Sequence, residues 1–186
     1  MHAVFILYTG MDIESGGLSF NEAQNGRIFA VIGITGILTQ GVLIGPLSKK
    51  FGSRNLLPVS CIITGIGLAL IPYTENEYAF LQLGFVSLLI AVGNGLFQPS
   101  SSSILTSIAK DRKMELGVVM GAQESVSAFS RILGPLTGGF VWVLTVDGKF
   151  PFDYHTAFLL CGVLMAMAAV LSLKIPREQE PNLSDE

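Results

Sequence analysis

The chain has 186 residues, 50% of them hydrophobic and only 13% charged, with a net charge of −3 and a mean hydropathy of +0.59. A soluble domain carries about 25% charged residues, so this composition excludes an ordinary soluble globule and points to an integral membrane protein. There is no basic footprint for nucleic acid. No Cys/His cluster, phosphate-cradling loop or Ser/His/Asp set calls for a metal, a cofactor or an enzyme. Cys61 and Cys161 lie inside apolar runs and read as small buried hydrophobes. His2 and His155 read as lone histidines at segment ends.

A helix needs about 20 mostly apolar residues to cross the hydrocarbon core. In chain order, residues 1–10 are apolar but too short to cross, and read as the last turns of a helix cut short at its start. A loop with Asp12, Glu14 and Glu22 follows. Five full spans are then predicted over 28–47, 56–73, 79–104, 116–146 and 156–173. They are joined by the short polar linkers SKKFGSRN, TENE, KDRKME and VDGKFPFD. The fold class expected is all-α, a polytopic membrane helix bundle over 1–175, with an acidic, Pro-interrupted and disordered tail at 176–186.

Lys49, Lys50, Arg54, Lys110, Arg112, Lys113, Lys174 and Arg177 lie in alternate linkers and at the end of the last span, against only Arg27 and Lys149 in the opposite loops. The positive-inside rule makes the basic side cytoplasmic, which puts the first loop outside and the C-terminus inside. Tyr8, Tyr73, Tyr78, Trp142 and Tyr154 fall at the other, outer ends, where amphipathic rings favour the interface. Three GxxxG pairs, Gly41/Gly45, Gly117/Gly121 and Gly134/Gly138, suggest closely approaching helices.

Ionisable and polar residues at membrane depth are costly and invite a functional reading. Glu124 and Arg131 are seven apart, on one helix face, with a rise of roughly 10 Å between them, so a direct pair is expected to be strained. The readings of Glu124 are a titrating, cavity-facing carboxylate tuned by the nearby cation, an architectural pair bonding neighbouring helices, and a side chain snorkelling toward the cytoplasm. Gln40, Gln82, Asn94, Gln98 and Gln123 are neutral amides within spans, which commonly bond across helices. Asn94 and Gln98 share a face beside Pro99, and Gly134-Pro135 makes a similar break in the next span. Ser100 to Ser103 are placed to bond the carbonyls that Pro99 frees.

Three segments carry a resemblance. The stretch from Gly45 to Arg54 resembles the short cytoplasmic G-x-L-x-D-R-x-G-R-K signature of the major facilitator superfamily, with Gly45, Leu47, Lys50, Gly52 and Arg54 matching or nearly so. Lys49 stands where the strong copy has Asp, as in the degenerate copy of the family's C-terminal half. Gly93 to Ser100 resembles the family's tenth helix. Ser130 to Gly139, with Gly134, Pro135, Gly138 and Gly139, resembles the eleventh helix of drug-efflux members and the related antiporter signature, whose first glycine is here Ser130.

The resemblance implies a C-terminal six-helix half with a truncated first helix. Its N-terminal partner half is absent from this sequence, and substrate binds near the midplane between halves. The implied function is secondary transport of a small molecule, favouring proton-coupled efflux, in a plasma or inner membrane. The alternative is an inserted remnant or assembly fragment that moves nothing.

Overall fold

The computed structural model of the chain describes residues 2–74, 78–146, 148 and 152–175. The tail at 176–186, the linker residue Lys149 and the rest of the TENE linker after Thr74 lie outside them. Among the described residues there is no strand. The helices are α1 (His2–Gly10), α2 (Glu22–Leu38), α3 (Ile44–Phe51), α4 (Ser53–Leu70), α5 (Ala79–Asp111), α6 (Leu116–Thr145) and α7 (His155–Ser172). A π turn, Thr39–Leu43, fuses α2 to α3. Among the described residues, five helical stretches are long and apolar enough to cross a membrane: Glu22–Phe51, Ser53–Tyr73, Ala79–Asp111, Leu116–Thr145 and His155–Ser172.

Local chemistry moves several boundaries from their expected places. The first span begins at Glu22 rather than Ile28 because Asn21 and Gln24 form a reciprocal capping box. Asn21 Oδ1 accepts the Gln24 N–H at 2.9 Å and Gln24 Oε1 accepts the Asn21 N–H at 3.0 Å. The π turn lies just before Pro46, which has no N–H and whose ring collides with the carbonyl four residues back. Widening the turn relieves that collision, and the Ile44 N–H bonds the Thr39 carbonyl instead. The predicted polar linker 48–55 is helical up to Phe51 and helical again from Ser53, with Gly52 alone between. The third span runs on to Asp111, absorbing part of the KDRKME linker.

Gly52 makes that one-residue break with φ 74 and ψ 145, a region held almost only by glycine. Gly52→Ala is therefore expected to cost about 1–3 kcal/mol of stability. Gly26→Ala, inside α2 with nothing near its added Cβ, is expected to be neutral or stabilising. Thermal unfolding in detergent checks the contrast.

The bundle is organised on α4, which packs between α5 and α7. Small residues set the spacing. A Cβ on Gly67 would meet Ile90 Cγ1 at 2.7 Å, and one on Gly65 would meet Met165 Cβ at 3.0 Å. The expected GxxxG contacts are not the close ones. Gly41, Gly45, Gly117, Gly121 and Gly134 have nothing within 4 Å of an added Cβ, and Gly138 meets only Val4, at 3.1 Å. The apolar core lies toward one end, around Tyr8, Leu18, Ile71, Leu83, Trp142 and Phe158.

At that end His155 is not lone. Its Nδ1 lies 2.8 Å from Asp153 Oδ1, which also accepts the His155 backbone N–H at 2.9 Å. Its ring stacks on Tyr154, with centroids 4.3 Å apart. Burial, and then the Asp153 carboxylate, push the Tyr154 phenol above its usual range. Cys61 and Cys161 are free thiols, the first buried and the second half-buried.

Candidate functional site

The Gly93-Asn94-Gly95 triplet lies on α5 one turn before Phe97 and Gln98, which form the α5 wall of the site. Gly93 faces α4 so closely that an added Cβ would sit 2.9 Å from the Thr64 N and 3.0 Å from the Ser60 carbonyl oxygen. Gly95 faces the π turn, where an added Cβ would meet Thr39 Cγ2 at 2.8 Å. The two glycines thus bury opposite sides of α5 and leave Asn94 between them exposed. One turn on, Gln98 is exposed as well, and Pro99 removes the N–H that the Gly95 carbonyl would accept.

The serines after Pro99 do not serve that carbonyl in the expected way. Gln123 Nε2 donates to Ser102 Oγ at 3.2 Å, tying α6 to α5. Ser53 Oγ donates to Ser103 Oγ at 3.0 Å, and Ser100 Oγ is buried without a partner. Gln40 sits exposed within the π turn.

The other wall is α6. Trp142 is its one buried residue. Its hydroxyls turn back on their own helix: Ser125 Oγ bonds the Gly121 carbonyl at 2.8 Å, and Ser130 Oγ bonds the Val126 carbonyl at 2.9 Å. Glu124 and Arg131 do pair, with Arg131 Nη2 donating to Glu124 Oε1 at 3.0 Å. The expected strain is absent because both side chains are long enough to close two turns along the face. The pair stays open, with side chains 67% and 61% exposed for Arg131 and Glu124.

Between α5 and α6 lies a groove of about 840 Å³, lined by Phe97, Gln98, Met114, Val126 and Arg131 among others. Its volume is in the range of roughly 300–1,000 Å³ usual for small-molecule sites. The structure brings Gln98, Gln123 and Arg131 to this groove. Ser130 of the eleventh-helix signature and Met165, which the sequence reading did not single out, line it too. Chemically the face offers two free amides, an ion pair and apolar walls. It can hold an amphipathic molecule.

The signature-loop residues form a separate region at the far end. Gly45 is open, Leu47 half-buried and Lys50 exposed, with its ammonium 5.4 Å from the Phe51 ring centroid. Arg54 is half-buried and its Nη1 is without a partner. Of the expected kink residues, Pro99 and Pro135 lie inside the continuous helices α5 and α6, and Pro135 removes the N–H that the Arg131 carbonyl would accept. The Thr137 hydroxyl bonds the Leu133 carbonyl at 2.8 Å and lies 3.2 Å from that of Gly134. Gly139 has open space around it.

Comparison with known proteins fits this geometry. The chain is 27% identical over 135 residues to Multidrug resistance protein 1 of Bacillus subtilis, covering 73% of this chain and 33% of that protein. It is 24% identical over 181 residues to the class H tetracycline resistance protein of Pasteurella multocida, covering 96% of this chain and 41% of that protein. It is 30% identical over 123 residues to Solute carrier family 22 member 18 of Mus musculus, covering 64% of this chain and 28% of that protein. The chain thus spans about a third of the length of these relatives. No solved structure matches it. The family profile of the Major Facilitator Superfamily matches residues 3–186. An all-α bundle with five membrane-spanning helices and this profile make the chain an integral multi-pass membrane protein that belongs to the major facilitator superfamily.

Proposed function

We propose that the chain supplies the C-terminal half of a proton-coupled efflux transporter for a small molecule, and that a second six-helix half completes the substrate path. The observation that carries this is the open polar face. Asn94, Gln98, Glu124 and Arg131 all remain exposed within apolar spans, and Gln98 and Arg131 line the α5–α6 groove. Hydrocarbon tolerates such groups poorly, so the face belongs against water or protein. Relatives named as drug- and tetracycline-resistance proteins support an efflux substrate. Away from the span ends, Glu124 is the one acidic side chain in a described span. Protonating it cancels its charge and releases Arg131, so one proton can be exchanged for one change in the ion pair.

In this reading the basic ends of α3 and α5, and Lys174 just past α7, face the cytoplasm. Single cysteines at Ser15 and Arg112, both exposed, test the orientation in intact cells. An impermeant maleimide is expected to label Ser15→Cys and spare Arg112→Cys, and the reverse pattern overturns it.

The functional test is flux in liposomes. The chain alone is expected to insert without saturable, gradient-driven transport. Co-expression with the N-terminal half of a full-length relative is expected to restore transport. Saturable flux from the purified 186-residue chain alone would show that no second half is needed.

A further inference from the structure

A second groove, of about 570 Å³, continues from the first along the C-terminal half of α6, between it and α7. It runs along α6 from Ser130 to Val141, roughly 16 Å at 1.5 Å per residue. Leu160, Cys161 and Leu164 of α7 form the facing wall, and Leu68 of α4 lies at its floor. The gap follows from missing side chains. Gly134 has nothing within 4 Å of an added Cβ, so α6 has no knob there to set against α7.

The groove's hydroxyls are already spent. Ser130 bonds the Val126 carbonyl at 2.9 Å and Thr137 the Leu133 carbonyl at 2.8 Å. What remains is an apolar trough with Arg131 at one end, and Arg131, Ser130 and Met165 also line the α5–α6 groove. Only Nη2 of Arg131 is engaged, with Glu124, and a guanidinium has five N–H donors in all. The outer grooves between α4 and α7, lined by residues such as Ile62, Ile66 and Val163, carry no charge.

We propose that the α6–α7 groove binds the apolar tail of a single-chain amphiphilic anion whose carboxylate or similar headgroup rests on Arg131. The tail lies along the α6–α7 groove while the headgroup sits at Arg131, where the two grooves meet. Arg131 lies midway along α6, a depth at which an anion needs a partner. A planar guanidinium with spare donors suits an oxyanion. The inference rests on the transporter reading only for what happens next. Binding itself is readable without transport.

The test uses the chain in nanodiscs and two photoreactive probes with a diazirine at the tail end: dodecanoate and its dodecyl-trimethylammonium counterpart. Mass spectrometry is expected to place dodecanoate adducts on the Leu160–Leu164 wall and the facing stretch of α6, with the cationic probe several-fold weaker. Gly134→Phe fills the trough into open space and is expected to cut labelling roughly tenfold, a binding change of about 1.4 kcal/mol. Arg131→Gln is expected to abolish the preference for the anion, and Arg131→Lys to keep part of it. Adducts spread evenly over Ile62, Val163 and the other outer-wall residues, indifferent to Gly134→Phe, would mark bulk lipid and overturn the site. Equal labelling by both probes overturns the headgroup assignment. Selective labelling without transport in any assembly defeats the transporter reading alone.

Discussion

Valine at position 93 is expected to abolish the folded bundle, while valine at position 134 is expected to be tolerated. A Cβ on Gly93 meets the Thr64 hydroxyl, the Thr64 N at 2.9 Å and the Ser60 carbonyl oxygen at 3.0 Å. Two of these are backbone atoms of α4, the helix on which α5 and α7 both pack, and no rotamer change moves them aside. Relief requires α5 to lift from α4, which uncovers buried residues such as Ser60, Thr64 and Ala91. Overpacking alone costs about 1–3 kcal/mol, and rigid backbone contacts put this case at or above the upper end.

Gly95 makes an informative intermediate. Its added Cβ meets only the Thr39 side chain, at 2.8 Å. Thr39→Ala is therefore expected to rescue Gly95→Ala, with a coupling of roughly 1 kcal/mol or more, whereas Thr64→Ala is expected to rescue Gly93→Val only weakly. Protease resistance and thermal unfolding in detergent decide this. Equal tolerance of valine at positions 93 and 134 would mean that α4 and α5 do not approach as described.

This contrast shows what the sequence discloses and what it hides. The five spans are legible because each is a long apolar window, and that property is local. Whether a glycine is a contact depends on the neighbouring helix, which spacing along one chain does not reveal. The GxxxG pairs in α2–α3 and α6 drew attention and prove open but for Gly138, which meets a Val4 side chain. Gly65, Gly67, Gly93 and Gly95, at spacings of two, carry the close approaches. Pro46 signals a disturbed helix, but a widened π turn rather than a kink is decided by how the Thr39 region packs on α5. In the sequence His155 reads as lone and its partner Asp153 is passed over, although a carboxylate two residues before a residue at a helix start commonly caps its N–H.

Within the candidate site, the sequence shows that Glu124 and Arg131 share a face and that Asn94 and Gln98 share another. It does not show that Gln123 spends its amide on Ser102, or that Ser130 and Met165 join two grooves. Those are facts of how α6 leans on α5 and α7. The sparse packing of α6 has a direct consequence for its charges. An ion pair on a well-packed helix would be fixed by its surroundings. This one is open enough for water, a proton or a ligand headgroup to reach either member.

Glu124→Gln is expected to abolish transport driven by a pH gradient in the assembled transporter, while leaving both membrane abundance and substrate binding near their original levels. The two halves of this expectation test different things. In water an exposed ion pair is worth about 0–1 kcal/mol. If the face is hydrated, losing Glu124 changes stability by no more than that, and Arg131 keeps its charge in solvent. If the face met lipid instead, the change would leave Arg131 unpaired at the centre of a span, at a cost of about 2.5–3.5 kcal/mol on the insertion scale. Abundance would then fall sharply, and the double variant Glu124→Gln/Arg131→Gln would restore it. Retained abundance therefore supports a water-lined path.

Transport reads the proton step separately. Glutamine keeps the size and hydrogen-bonding reach of the carboxyl but cannot take up or release the proton, so it is fixed in one state of the exchange. Downhill substrate movement is expected to continue and accumulation against a gradient to stop. Exchanging the two residues, Glu124→Arg with Arg131→Glu, preserves a pair on the same face and is expected to insert normally. It also puts a carboxylate where both grooves meet, so an anionic amphiphile should lose its binding there. Full pH-driven accumulation by the glutamine variant would place the proton step elsewhere and leave Glu124 only as the partner that holds Arg131.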